Sequence, residues 1–206
     1  FGSLASGVYG GGIDYLHGDA GGPIDQNGFV KYRTNLYRES GTPYIDGGSQ
    51  QRTLLSGVIS VEPTSFSKIS LDYWHQDYDQ RSLLTYINVN PGKGIKMPSA
   101  SQYDAHTQYG QNWTFNRSRK DLVGISASSE AGAYATLRGG YRYGDMWREY
   151  DYVGATLTDN LGNYSETYTT TPRQNETTHS YYALVDLNLP TGPVMHQLTT
   201  GFTGTK

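Results

Sequence analysis

Apolar and polar residues alternate with a period of two along most of the chain. In residues 30–37, for example, Val30, Tyr32 and Leu36 share one face, while Lys31 and Arg33 share the other. Such alternation over four to eight residues is typical of a strand with one apolar and one polar face. It predicts about eight strands, at residues 5–15, 30–37, 55–61, 69–74, 123–128, 135–143, 181–189 and 194–202.

Short and long connections alternate between these strands. EPTSFS, the stretch near Ala131 and PTGP are short turns, and GDAGGPIDQNG is also predicted as a turn. The tips near Ile45, Pro98 and Leu161 are longer. Long loops are predicted near 81–117 and 154–177, the second with the hairpin-tip sequence DNLGN. Long loops at one end and short turns at the other are typical of outer-membrane barrels. The predicted fold class is therefore all-β, an antiparallel up-and-down meander of about eight strands, with residues 1–206 forming one domain of the transmembrane-barrel type.

The composition agrees with strands that meet two different environments. Hydrophobic residues make up 35% of the chain and the mean hydropathy is −0.62. Low hydropathy does not exclude a transmembrane barrel, because every second residue of such a strand faces water. No apolar run is long enough for a transmembrane helix. The net charge of −3 gives no support to a nucleic-acid surface.

The sequence carries no recognisable catalytic or metal-binding motif. The five histidines are scattered without ligand spacing, and cysteine is absent. No G-x-S-x-G, H-E-x-x-H or P-loop sequence is present. We therefore expect a protein that is not an enzyme and that holds neither a resident metal nor a cofactor.

Several segments, in order, resemble TonB-dependent outer-membrane siderophore receptors of the ferric-hydroxamate (ferrichrome/ferrioxamine) type. They are YGGGIDYLHGDAGGPIDQNGFVKYRTNLYRESGTPYIDG, RTLLSGVISVEPTSFSKISLDYWHQDY, YGQNWTFNRSRKDLVGI and DNLGNYSETYTTTPRQNETTHSYYALVDLNLPTGPVMHQLTTGFTG. The resemblance covers nearly the whole chain. It implies a barrel of about 22 strands in the bacterial outer membrane, which binds ferric siderophores and imports them with TonB energy.

The same resemblance implies which parts of such a receptor lie outside this sequence. The N-terminal plug, the TonB-binding segment and the final aromatic-ended strand have no counterpart here, so we expect a partial barrel fragment. The expected partners are a ferric siderophore as ligand, the TonB complex through the missing plug, and membrane lipid with lipopolysaccharide. No nucleic acid is expected.

The long loop supplies the candidate ligand-binding residues Tyr86, Tyr103, Tyr109 and Trp113. Aromatic side chains with a hydroxyl or indole N–H can cover a ferric chelate and donate hydrogen bonds to it, and loop aromatics have this role in the family. The alternative is that tyrosine and tryptophan at strand ends form an interfacial girdle. Arg138 and Arg142 are predicted to face the lumen, where they bind an anionic ligand or pair with carboxylates of the plug or lumen.

Two other classes of protein remain open at this point. A complete eight-stranded barrel could act as a structural protein or adhesin of the outer membrane. A soluble β domain could bind carbohydrate through its aromatic residues, with acids such as Asp77 and Asp79 nearby. Nothing in the sequence places two acids across a cleft, as glycoside hydrolysis requires.

Overall fold

A computed structural model describes residues 1–83 and 85–206, and within them the chain forms one large antiparallel sheet. The strands are β1 (Gly2–Tyr9), β2 (Ile13–Pro23), β3 (Val30–Gly41), β4 (Ser49–Thr64), β5 (Ser67–Arg81), β6 (Tyr86–Asn88), β7 (Phe115–Glu130), β8 (Ala135–Leu157), β9 (Tyr164–Thr191) and β10 (Val194–Thr205). Nine of them pair in chain order as a meander. The short β6 lies outside this order, because it pairs in parallel with residues 154–156 of β8.

The N-terminal segment forms two strands where the sequence predicts one. Residues 5–15 are divided by a tight turn in which Gly10 and Gly11 adopt positive φ angles of 58° and 101°, a conformation that glycine adopts at little cost. Tyr9 pairs with Ile13, four residues later. Because four is an even number, the alternation of apolar and polar residues continues through the turn. A pattern with a period of two therefore does not reveal that a turn is present. The turn predicted at GDAGGPIDQNG is shorter than expected, because β2 continues to Pro23.

The segment 154–177, predicted as a long loop, is mostly strand. β8 extends to Leu157 and β9 starts at Tyr164, which leaves a tip of only residues 158–163. Tyrosine and threonine between 164 and 171 favour strands. These tyrosine and threonine residues do not alternate with an apolar stripe, because both faces of this part of the hairpin are polar or covered by loop. The period-two pattern is therefore absent here.

The predicted loop at 81–117 is present with nearly the predicted bounds. β5 ends at Arg81 and β7 begins at Phe115. The loop contains β6 and two single 3₁₀ turns, Pro91–Lys93 and Ala100–Gln102. Leu84, which belongs to this predicted loop, lies outside the described residues.

The strand register gives the sheet an apolar face and a polar face. On the apolar face Ile59, Leu71, Ile125, Tyr141 and Tyr181 form one row across five neighbouring strands. These side chains are largely uncovered; Leu71 is 54% and Ile125 51% exposed. The polar face carries the alternate residues, including Arg33, Asp72, Lys120, Arg138 and Arg142. A contiguous exposed apolar surface of this size marks a contact with lipid or with another protein.

The connections separate into two ends of the sheet. The loop end carries residues 10–12, 42–48, 82–114 and 158–163. The turn end carries the shorter connections 24–29, 65–66, 131–134 and 192–193. The predicted alternation is confirmed for the loops 42–48 and 82–114, whereas the 158–163 tip is no longer than the 24–29 connection and the β1–β2 turn is short.

Buried apolar residues are concentrated at the loop end, where the loops pack on one another. They are Ile13, Ile45, Ile95, Val153, Ala155 and Leu157. The long loop is joined to the β3–β4 loop by a hydrogen bond from the Asp46 N–H to the His106 carbonyl (2.8 Å). His106 Nδ1 also lies 2.6 Å from the Tyr44 carbonyl oxygen. These loops therefore form one packed layer.

The sheet is open in the part of the chain that the structure describes. β1 and β10 are its two edges and do not pair with each other. The described strands thus do not close into the complete eight-stranded barrel that the sequence left as an alternative. None of the helical turns among these residues has the length and apolar character needed to cross a membrane.

Candidate functional site

A group of cationic and aromatic side chains lies on the polar face toward the loop end. It consists of Trp74 on β5, Lys120 on β7, and Arg148, Tyr150 and Tyr152 on β8. We call it the cation–aromatic patch. The register places Lys120 opposite Met146 and Arg148 opposite Ser118. Lys120 and Arg148 are therefore diagonal neighbours on adjacent strands, about 7–8 Å apart at the backbone.

Each cation of the patch lies against an aromatic ring. Lys120 Nζ is 5.9 Å from the centre of the Trp74 ring, and the Arg148 guanidinium carbon is 4.6 Å from the centre of the Tyr150 ring. The rings of Tyr150 and Tyr152 stack at 6.0 Å. Arg148 also donates from Nε to Asn116 Oδ1 (2.9 Å). Arg148 is thus oriented by a hydrogen bond and a ring, whereas Lys120 lies near a ring without a hydrogen bond.

Most other cations of the polar face are paired with carboxylates on other strands, and Arg142 on β8 reaches across β7 to Asp72 on β5. The pairs are Lys31–Glu62 (2.6 Å), Arg33–Asp19 (2.8 Å), Arg138–Asp186 (2.9 Å) and Arg142–Asp72 (2.9 Å). The two predicted lumen arginines, Arg138 and Arg142, belong to this set. Within the described residues, Lys120 and Arg148 form no such pair. Glu176 on β9, which pairs with Met146, lies on the same face diagonal to Arg148, and no ion pair joins the two.

A buried carboxylate lies on the polar face at the loop end of β3. Glu39 is 1% exposed. Its carboxylate accepts hydrogen bonds from the hydroxyls of Tyr9 and Tyr37 and from Gln50 Nε2 (2.8 Å). Arg52 Nε lies 3.4 Å from Glu39 Oε1. Glu39 therefore joins three strands by hydrogen bonds immediately before the 42–48 loop, which is a structural role.

The predicted loop aromatics Tyr103 and Tyr109 line a cavity of about 270 Å³ between the long loop and the β8–β9 tip. Their rings meet edge to face at 5.5 Å. Tyr164 closes one side, and its hydroxyl donates to the Tyr109 carbonyl (3.2 Å). Ala155 and Leu157 form the floor. By alternation along β8, these odd-numbered residues continue the apolar face, so the cavity and the cation–aromatic patch lie on opposite sides of the hairpin.

The other two predicted aromatics lie apart from this cavity. Tyr86 begins β6 and is 72% exposed. Trp113 packs edge to face against Tyr168, with ring centres 5.1 Å apart. The structure therefore brings together two of the four aromatic residues predicted as ligand contacts.

The tip that covers the cavity is closed by Asp159. Its carboxylate accepts hydrogen bonds from Asn163 Nδ2 (2.6 Å) and from the Leu161 backbone N–H (2.8 Å). These hydrogen bonds, that from the Asn163 side chain first, lower the pKa of Asp159. The carboxylate thus stays ionised and holds the residues that line the cavity.

The apolar face becomes charged toward the loop end. His75 lies between two carboxylates, with Nδ1 2.7 Å from Asp121 Oδ1 and Nε2 3.0 Å from Asp77 Oδ2. Arg119 Nε donates to Asp77 (2.7 Å), and Arg117 lies between Asp79 and Glu149. The apolar face is therefore bounded on the loop side by a polar belt.

Sequence reasoning did not select Lys120, Arg148 and Tyr150 as site residues. The sequence does show that these three residues lie at even-numbered positions of β7 and β8, because the alternation defines the polar face of each strand. The prediction took its candidates from the loop, where aromatic residues are concentrated, and the pairing of one strand with the next was needed to bring these three residues together.

Comparisons with known proteins show which structures have this architecture. No family model and no curated protein sequence matches the chain. Among solved structures, the ferric preacinetobactin receptor BauA of Acinetobacter baumannii superposes with a TM-score of 0.85 and 17% identity, over 94% of this chain and 28% of the receptor. The ferric-catecholate import receptor Fiu of E. coli K12, in a closed form, superposes with a TM-score of 0.78 and 16% identity, over 99% and 30%.

A third match is the outer-membrane pyoverdine receptor FpvA of Pseudomonas aeruginosa bound to pyoverdine, with a TM-score of 0.76 and 11% identity, over 100% of this chain and 30% of the receptor. The chain has the fold of an outer-membrane receptor barrel wall. At these identities the likeness concerns the fold. The chain spans about a third or less of each of these receptors, and its meander superposes on part of their barrels.

Proposed function

We propose that this chain is a segment of the barrel of a bacterial outer-membrane receptor that takes up ferric siderophores with energy from the TonB complex. The observation that carries the proposal is the superposition of nearly the whole two-faced meander on receptors named for ferric siderophores. The resemblance of the sequence to the same class of receptor supports it independently.

The two faces of the sheet give the orientation of the wall. The apolar face, with Leu71 and Ile125 half exposed, contacts lipid. The polar face lines the lumen, since barrels of this kind are apolar outside and polar inside. The loop end is extracellular, because long loops occupy that side. The charged belt of His75, Asp77 and Arg119 then meets the lipopolysaccharide headgroups, and TonB acts through a plug encoded elsewhere in the receptor.

The cation–aromatic patch lines the lumen, where a ferric siderophore reaches it. The cavity with Tyr103 and Tyr109 lies among the extracellular loops on the outer side, which continues the apolar face. The ferric-hydroxamate type remains the prediction drawn from the sequence resemblance. The receptors that superpose are named for catecholate, pyoverdine and preacinetobactin, so the ligand class is decided by measurement.

The direct test is uptake by bacteria that produce the complete receptor. Under iron limitation, deletion of its gene is expected to abolish uptake of radiolabelled iron supplied as the ferric complex of its siderophore. Plasmid-borne receptor restores uptake, and deletion of the TonB gene abolishes it again. Unchanged uptake without the receptor, over a panel of hydroxamate, catecholate and mixed ferric complexes, would contradict the proposal.

A further inference from the structure

We infer that the cavity lined by Tyr103 and Tyr109 binds a neutral sugar unit of the lipopolysaccharide that stands beside the barrel. The inference rests on the proposed function, because that function sets the loop end outside the cell. Tyr103 and Tyr109 then contact the membrane surface instead of the ferric siderophore that the sequence predicts for them.

The position of the cavity decides which partner can reach it. Ala155, Leu157 and Tyr164 form its floor and one side, and the register places all three on the side that continues the lipid face. Leu157 lies 14 positions after Tyr143 on β8, which is about 46 Å along a strand. With a strand tilt of about 40°, the cavity stands roughly 35 Å above Tyr143. Its neighbours there are the saccharide chains of the outer leaflet.

The lining of the cavity fits an uncharged, hydroxyl-rich ring. None of the residues that line it in the described part of the chain carries a charge. Its volume of about 270 Å³ lies just below the range of about 300–1,000 Å³ for pockets that take drug-sized ligands, so it admits one ring-sized group. A pyranose ring has apolar C–H faces and hydroxyls at its edge. Tyrosine rings cover such faces, while tyrosine hydroxyls and amides bind the edge.

Three hydrogen-bond donors of the lining have no acceptor among the described residues. Gln102 accepts at Oε1 from the Ser99 N–H (3.1 Å), which leaves its amide N–H groups for a ligand. The Tyr109 hydroxyl accepts from the Asp104 N–H (3.0 Å) and keeps its own proton to donate. The Tyr103 hydroxyl is the third donor. Donors around one ring-sized space match the hydroxyls of a sugar.

The two sides of the cavity are held together before a ligand arrives. Tyr164 donates from its hydroxyl to the Tyr109 carbonyl (3.2 Å), and the Lys96 N–H donates to Asn160 Oδ1 (2.8 Å). These hydrogen bonds join the long loop to the β8–β9 tip, which the Asp159 carboxylate closes. Because the walls are already fixed, little further conformational entropy is lost on binding.

The test measures saccharide binding to the purified complete receptor in detergent by saturation-transfer difference NMR. The probe is the saccharide part of the host strain's lipopolysaccharide, released from lipid A by mild acid. Tyr103→Ala is expected to weaken binding by about tenfold, because a ring and a hydroxyl are lost together. Tyr103→Phe keeps the ring, so a loss of about threefold is expected. Added salt is expected to leave binding unchanged, because the lining is uncharged.

Tyr44→Ala is the matched control. Tyr44 is an exposed tyrosine of the neighbouring 42–48 loop and does not line the cavity, so its loss is expected to leave saccharide binding unchanged. Heat-modifiable migration on gels verifies that every variant is folded. In outer-membrane vesicles, hydrogen exchange at the 158–163 tip is expected to be faster when the lipopolysaccharide lacks its outer saccharides. This comparison tests whether the sugar comes from the membrane itself.

The outcomes separate the inference from the proposed function. Weaker saccharide binding in Tyr103→Ala, with uptake of the ferric siderophore retained, supports the inference. Saccharide binding that Tyr103→Ala leaves unchanged, that salt weakens, or that the wild-type receptor lacks overturns it and leaves a siderophore receptor, as does equal exchange at the tip in both kinds of vesicle. Iron uptake that is unchanged after deletion of the receptor gene overturns the proposed function, independently of the saccharide result.

Discussion

Glu39 provides the sharpest test of how the loop end of this wall is held together. The carboxylate is 1% exposed and accepts hydrogen bonds from Tyr9, Tyr37 and Gln50. In Glu39→Ala these donors lose their acceptor in a place that water reaches poorly. Arg52 also loses the nearest negative charge, 3.4 Å away.

The expected cost follows from these contacts. A hydrogen bond to a charged group contributes roughly 1.5–3 kcal/mol, but the three share one acceptor and their effects do not add. Removing one partner of a buried charged cluster costs about 3–5 kcal/mol, and we expect Glu39→Ala to fall in this range. Glu39→Gln keeps the volume and one carbonyl acceptor, so its cost is expected to be about 1–3 kcal/mol.

The assay is urea unfolding of the complete receptor in phospholipid vesicles, with stability taken from the transition midpoint at constant m-value. Glu62→Gln is the control. Glu62 also pairs with a cation, Lys31, but the two side chains are 48% (Lys31) and 32% (Glu62) exposed, and solvent-accessible pairs add little to stability. Hydrogen exchange is expected to accelerate in the adjacent 42–48 loop of Glu39→Ala. A stability equal to the wild type in Glu39→Ala, or an equal loss in Glu62→Gln, would refute the structural role assigned to the buried carboxylate.

Three further predictions follow from the packing and from the two faces. Ile125→Arg places a charge on the lipid face and is expected to destabilise the receptor in vesicles by about 2–4 kcal/mol. Ser126→Arg, on the lumen face, is expected to leave the stability unchanged. Equal costs of the two substitutions would contradict the assignment of the faces. A Cβ at Gly41 overlaps a carbonyl oxygen of the β1–β2 turn, so Gly41→Ala is expected to cost about 1–3 kcal/mol in urea unfolding. Gly22→Ala, with nothing within 4 Å, is the control for that overlap. Asp159→Ala should speed hydrogen exchange at the 158–163 tip and leave the barrel strands unchanged, whereas an unchanged tip would contradict its closure by this carboxylate.

The sequence pattern predicts the fold wherever the two faces of a strand meet different surroundings. In 30–37, 55–61 and 123–128 one face is apolar and the other polar, so the period of two identifies each strand. The pattern fails for 164–177, where Tyr168 and its threonine neighbours lie beyond the apolar band and neither face carries an apolar stripe. It also fails at Tyr9–Ile13, where the turn preserves the alternation.

The candidate binding residues are harder to predict because they depend on pairing between distant segments. Lys120 and Arg148 are 28 positions apart in the chain, and only the β7–β8 register makes them diagonal neighbours. Whether a cation is paired depends equally on register, since Arg142 meets Asp72 from 70 positions away. Tyr103 and Tyr109 are close in sequence, so the aromatic content of one loop is enough to predict them together.

One face of this wall meets lipid and the other a ligand-accessible lumen, and thiol labelling in intact bacteria distinguishes the two. The chain contains no cysteine, so in a cysteine-free complete receptor Ser118→Cys and Val123→Cys give clean probes of the two faces of β7. We expect a small water-soluble thiol reagent to modify Ser118→Cys, the bound ferric chelate to protect it, and Val123→Cys to stay unmodified. Equal modification of both positions, with no protection by any ferric chelate that the receptor imports, would contradict this assignment of the two faces.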